Sequence, residues 1–155
     1  MAFRYRPAGI EDAAVIADFN CRLARETENR ELPAETVLRG VQRGLQQGDE
    51  VQYWVAEQRV DQTWRVVGQL MLTREWSDWR DGWMVWLQSV YVISDVRRQG
   101  VFRQLLDNVT QRLRQDDDVV VLRLYVEHDN LRAMETYRRL GFRDTGYLVL
   151  ELPMK

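Results

Sequence analysis

The chain has 155 residues, a formal net charge of −2, a hydrophobic share of 45% and a charged share of 30%. These are the proportions of one ordinary globular domain spanning residues 1–155 around a single core. That charge argues against a general nucleic-acid binder, which normally carries a basic face. Of the 22 basic residues only Lys155 is a lysine, Cys21 is the sole cysteine and His128 the sole histidine, which sets aside a Schiff-base lysine, an internal disulfide and a conventional zinc site.

Phe3 to Arg6 alternates and meets Pro7, a short first strand. The first residues have no apolar signal core and no later run approaches the roughly 20 apolar residues that cross a bilayer, so a cytoplasmic protein without a membrane partner is expected. Glu11 and Asp12 open a helix with Val15, Ile16, Phe19 and Leu23 at helical spacing. Pro33 starts a second, with Val37, Leu38, Val41 and Leu45 inward, ending near Gly48. From Val51 the period shifts to strands: Val51 to Glu57 and Arg65 to Trp76 flank a polar turn at Asp61-Gln62-Thr63 and form a hairpin. A loop from Ser77 to Gly82 leads to Trp83–Val92, which is apolar almost throughout and reads as a strand covered on both faces.

A helix from about Gly100 to Gln115 buries Phe102, Leu105, Leu106, Val109 and Leu113, and Asp116-Asp117-Asp118 closes it as a solvated turn. Val119 to Val126 is a further buried strand. Asn130 N-caps a helix with Ala133, Met134, Tyr137 and Leu140 on one face, and Gly141 suits its left-handed end. Asp144 to Leu152 is expected as the last strand. Hairpin strands followed by strand–helix–strand crossovers define an α/β (α+β) domain of three layers, α/β/α, about a mixed, mostly antiparallel sheet.

The chemistry concentrates where the apolar strand ends, at Val90-Tyr91-Val92, and turns into Arg97-Arg98-Gln99-Gly100-Val101-Phe102. Amides at a helix start have no intrahelical acceptor and the macrodipole adds positive charge there, so this start suits a phosphate. The P-loop is excluded by the missing lysine and the dinucleotide fingerprint by the single glycine. What fits is this run followed by Asn130-Leu131-Arg132-Ala133-Met134-Glu135-Thr136-Tyr137-Arg138-Arg139-Leu140-Gly141-Phe142. Together the two segments resemble the GCN5-related N-acetyltransferase superfamily, and the order of elements extends the likeness to nearly the whole chain. The branch most similar carries Glu75-Trp76-Ser77-Asp78-Trp79-Arg80 before Trp83.

The resemblance implies acetyl-CoA as co-substrate, with pyrophosphate on the amides from Arg98 to Arg103, among them Gln99, Gly100, Val101 and Phe102, and beside Arg97. It implies pantetheine along the backbone of Val90, Tyr91 and Val92, Asn130 at the ligand, and Tyr137 as the acid that protonates the departing thiolate. Phe102 departs from the family pattern, where Gly or Ala is usual, and is accommodated if its ring turns into the core. For the acceptor, carboxylates attract a cationic amine. Glu26, Glu28, Glu75, Asp78 and Asp81 lie in segments that border an acceptor cleft, with Trp76 and Trp79 as aromatic walls, and no one residue stands out as the base.

Trp79 suits a pocket wall or a homodimer contact, and His128 an exposed loop. The expected function is direct transfer of acetyl from acetyl-CoA to a primary amine of a small cationic acceptor, Cys21 being distant in sequence from the cofactor elements. The alternative is a domain that binds acyl-CoA as a sensor or scaffold without turnover.

Overall fold

The computed structural model describes residues 2–155. In chain order these form β1 (Phe3–Pro7), α1 (Ala13–Glu28), α2 (Ala34–Leu45), β2 (Val51–Val60), β3 (Thr63–Ser77), β4 (Gly82–Val92), α3 (Val101–Leu113), β5 (Val119–Arg123) and α4 (Leu131–Arg139). The chain packs as two compact units, one up to Tyr125 and one from Val126 to Lys155. No helix of the described residues is long and apolar enough to cross a membrane.

The five strands lie in the order β1-β2-β3-β4-β5. The first three pairings are antiparallel and β4–β5 is parallel, the mixed, mostly antiparallel sheet expected from the sequence. Asp61 takes a left-handed φ of 55° in the tight turn that pairs Val60 with Thr63, a conformation short polar side chains tolerate. Gly82 begins β4 because a Cβ there would lie 2.5 Å from Val120 and 2.7 Å from the Asp118 carbonyl. That close approach lets the Trp83 N–H donate to Asp118 O at 2.7 Å and opens the parallel pair.

Alternation along β2 builds the layers of the first unit. Tyr53 and Val55 pack with Ala13, Ile16 and Ala17 of α1 and Val41 of α2. Trp54, on the opposite face, shares a cavity of about 340 Å³ with Leu72 and with Val109 and Leu113 of α3. Helices therefore cover both faces of the sheet. Ile16, Leu70 and Leu105 are fully buried, each contributing about 2 kcal/mol by leaving water.

A polar network ties the first strand to the second. The Arg6 guanidinium donates to both carboxylate oxygens of Asp12, at 2.8 and 3.0 Å, and to Glu57 at 3.0 Å. Arg4 also pairs with Glu57. Asp12 in turn accepts the Gly9 N–H at 2.8 Å, closing the turn that leads into α1.

Two expectations are corrected. The segment expected as a buried strand over 119–126 is a strand only to Arg123 and is half-buried, with Val120 exposed. The segment 144–152, expected as the last strand, contains none, and Tyr147, Leu148, Val149, Leu150 and Leu152 are exposed. Apolar β-formers mark a segment able to pair, but a strand exists only through a neighbour's hydrogen bonds.

Candidate functional site

β4 shares a ladder with β5 only from Trp83 to Trp86. Beyond that point no strand among the described residues pairs with its second edge. Within the same stretch the β3–β4 register shifts between Gln69 and Met71, so that Ser89 and Val90 together oppose Leu70. Ser89 carries the bulge with a φ of 52°, uncommon for a residue with a Cβ.

The fully buried Gln69 lies against this bulge. Its amide Nε2 donates to Ser89 O at 3.2 Å and to Asn20 Oδ1 on α1 at 2.7 Å.

From Val92 the chain turns through Ser94–Val96 into Arg97 and then α3. Arg98 and Gly100 both take left-handed φ values, 66° and 78°. No atom lies within 4 Å of a Cβ built on Gly100, so the requirement there is conformational rather than spatial. The first backbone bond of α3 runs from Gln104 N–H to Gly100 O at 3.0 Å, leaving the amides of Val101 and Arg103 without an acceptor inside the helix.

Val92, Val96, Arg97, Arg98 and the first turn of α3 line a hollow of about 240 Å³. Arg98 and Arg103 make no ion pair among the described residues. Turned-out amides, the positive end of a helix and two uncommitted guanidinium groups form a cradle that suits a multiply charged anion such as a pyrophosphate. Phe102 is half-buried and is itself one of the residues lining the hollow.

Arg97 and Glu26, read from the sequence as belonging to different ligands, are brought together. The Arg97 Nε donates to Val92 O at 2.7 Å and its Nη2 to Glu26 at 2.6 Å. The Tyr91 hydroxyl donates to the other oxygen of Glu26 at 2.7 Å. Burial raises the Glu26 pKa, but the bonds from Tyr91 and Arg97 outweigh it and hold the carboxyl below its usual value. Tyr91 is shifted upward by its burial and by the Glu26 carboxylate. Glu28 is exposed at the end of α1.

Trp76, Asp78 and Trp79 lie at or beside the β3–β4 turn, at the opposite end of β4. Six residues of extended chain lie between Gly82 and the Ser89 bulge, a span of about 23 Å. Trp76 stacks edge-on with Trp83 at 5.0 Å, while Trp79 is 91% exposed. The structure therefore does not gather these residues with Glu26. Sequence proximity to the cofactor strand could not distinguish its two ends.

In the second unit Asn130 caps α4, its Oδ1 accepting the Ala133 N–H at 3.2 Å. Gly141 follows with a φ of 96°. Tyr137 packs against Phe142 with ring centroids 5.6 Å apart, and burial raises its pKa. His128 is exposed between Glu127 and Asp129.

With this geometry in view, the comparisons with known proteins are consistent. The model of the acetyltransferase (GNAT) family matches residues 16–142. A structure described as a possible acetyltransferase, from Clostridium difficile 630, is 37% identical, with a TM-score of 0.89 over 100% of this chain and 99% of that one. A predicted acetyltransferase from Clostridium acetobutylicum, solved with acetyl-CoA, has a TM-score of 0.77 at 16% identity, covering 99% of this chain and 97% of that one. A ribosomal-protein-alanine N-acetyltransferase from Brucella melitensis biovar Abortus 2308 has a TM-score of 0.75 at 18% identity, covering 98% and 100%. No curated protein matches the chain. The chain belongs to the acetyltransferase (GNAT) family, a family of acyl-transferring enzymes.

Proposed function

We infer that this protein transfers an acetyl group from acetyl-CoA directly to a primary amine of a small cationic acceptor, in a ternary complex. One observation carries the reading: β4 leaves β5, bulges at Ser89 and leads through one short turn to a helix start with left-handed backbone at Arg98 and Gly100. This order puts a strand edge able to bind an amide-bearing chain next to a cradle for phosphates. The acetyltransferase solved with acetyl-CoA supports the choice of co-substrate.

Acetyl-CoA supplies the activated thioester. The backbone of Val90, Tyr91 and Val92 binds the pantetheine arm, and Arg97, Arg98, Gln99, Gly100, Val101, Phe102 and Arg103 bind the pyrophosphate. Asn130 contributes from the start of α4. Tyr137 is the proton donor to the leaving thiolate. Its raised pKa keeps the phenol protonated throughout the neutral range, the form a general acid needs.

Glu26 and Glu28 give the end of α1 a negative rim that favours a cationic amine. No metal takes part in this scheme, and a homodimer is compatible with it.

Engagement of Glu26 by Arg97 and Tyr91 favours a second reading, a non-catalytic acyl-CoA sensor, because it occupies a carboxylate that would otherwise be available as a base. A panel of amines assayed for CoA release separates the two. The enzyme releases CoA with at least one amine, and Tyr137→Phe lowers kcat by about 100-fold while leaving acetyl-CoA affinity nearly unchanged. Binding of acetyl-CoA without release for any amine establishes the sensor.

A further inference from the structure

Three unfavourable features coincide where β4 leaves β5. A glutamine side chain is fully buried in the sheet, its Oε1 has no hydrogen-bond partner, and the neighbouring Ser89 holds a left-handed φ of 52°. Buried amides ordinarily satisfy both of their polar ends, and non-glycine residues avoid that backbone region. Such costs persist where the surroundings impose them, which is most often at a functional site. An apolar residue at position 69, between Val55 and Tyr91 on the α1 face, would leave no orphaned oxygen, so the significance of the amide lies in what its Nε2 holds.

That nitrogen holds two acceptors, Asn20 Oδ1 on α1 and the carbonyl of Ser89. Gln69 pairs with Val55 and Tyr91 across the sheet, so its side chain lies on the face covered by α1. The Ser89 carbonyl is therefore pulled toward β3 and α1. In a trans peptide the following N–H points the opposite way. No cis peptide is present among the described residues, so the Val90 N–H is directed away from Gln69, toward the side of β4 from which β5 has parted.

We propose that Gln69 is a positioning residue: by holding the Ser89 carbonyl it aims the Val90 N–H into the opening beside β4, as the donor that polarises the acetyl carbonyl of the thioester. Charge develops on that oxygen as the amine attacks, and a preorganised amide stabilises it. Asn20 completes the device by fixing the glutamine amide from the α1 side. This inference rests on the acetyl-CoA reading above and adds to it a residue that touches no ligand.

The test is isotope-edited infrared spectroscopy of carbonyl-labelled acetyl-CoA bound to the whole protein without an amine, alongside calorimetry and thermal unfolding. In the wild type the bound carbonyl stretch lies below that of free acetyl-CoA. In Gln69→Met, which keeps the shape and removes the amide, the stretch returns most of the way to the free value. The acetyl-CoA Kd stays within about threefold, since the phosphate cradle is untouched, and thermal unfolding serves to show that the variant is folded.

A merely structural role would leave the carbonyl frequency where it was in the folded variant, whatever its Tm, and that result overturns the proposal. Should Gln69→Met not fold, Asn20→Ala loosens the same amide from the helix side. A partial return of the frequency is expected there, and an unmoved frequency overturns the proposal equally. If the wild type binds no acetyl-CoA at all, the functional reading itself fails, an outcome distinct from binding with an unmoved carbonyl.

Discussion

At the scale of single residues, the site is held by contacts that span long stretches of chain. Glu26 and Arg97 meet at 2.6 Å although α1 and the turn before α3 are far apart in sequence. A carboxylate beside a phosphate-binding arginine competes for it. Exposed pairs of this kind contribute about 0.2–1 kcal/mol, and both side chains here are 42% exposed. Glu26→Gln should therefore tighten acetyl-CoA binding by about threefold and raise KM for a cationic amine. Calorimetry with acetyl-CoA checks the first effect, and an unchanged Kd would show that Arg97 does not reach the phosphates. Neither the Glu26–Arg97 pair nor the buried Gln69 was legible in the sequence, because glutamates and glutamines are ordinarily exposed and their partners are set only by tertiary packing.

Among elements, the start of α3 is the most local of the site's parts and was the most readable. Apolar spacing marked its buried face, and Gly100 marked its entry. The observed helix begins at Val101, one residue after the expected start, with Gly100 at φ 78°. Asn130 and Gly141 flank α4 in the expected roles for the same reason, since capping and left-handed termini depend on a few neighbouring residues.

Replacing Gly100 by Asp places a carboxylate at the mouth of the amide cradle. Asp tolerates left-handed backbone better than most residues, and the space around the position is open. The expected outcome is an acetyl-CoA Kd weakened by about tenfold or more with the fold retained, read by calorimetry and circular dichroism. Unaltered affinity would remove the α3 start from the binding site. The tryptophan-rich turn was less readable: residue type suggested a pocket wall, yet Trp79 is almost wholly exposed at the far end of β4.

For the whole molecule, the network of Arg4, Arg6, Asp12 and Glu57 links β1, the turn into α1 and β2, and it makes stability depend on pH. Burial of Glu57 raises its pKa, but hydrogen bonds from Arg6 and Arg4 prevail and the folded value lies below the ordinary one. A depressed carboxylate adds stability that is complete above its unfolded pKa, about 4.3, and is lost as pH falls through the folded value. Urea unfolding of the wild type should thus weaken from about pH 5 downward. Glu57→Gln should lower stability at pH 7 by about 2 kcal/mol and flatten that acid limb. An equally steep limb in the variant would mean that other carboxylates govern acid unfolding.

The sequence by itself determined the alternation of helices and strands, the mixed sheet, the glycine-bearing helix start and the capped last helix, because these depend on periodicity and on conformational preferences acting over a few residues. Only the tertiary structure decided which carboxylate meets which arginine, that Gln69 lies buried beneath a bulge, that β4 outlasts its pairing with β5, and that 144–152 forms no strand. Each of these depends on a partner distant in the chain, and a residue's own preferences carry no information about which partner packing will bring to it.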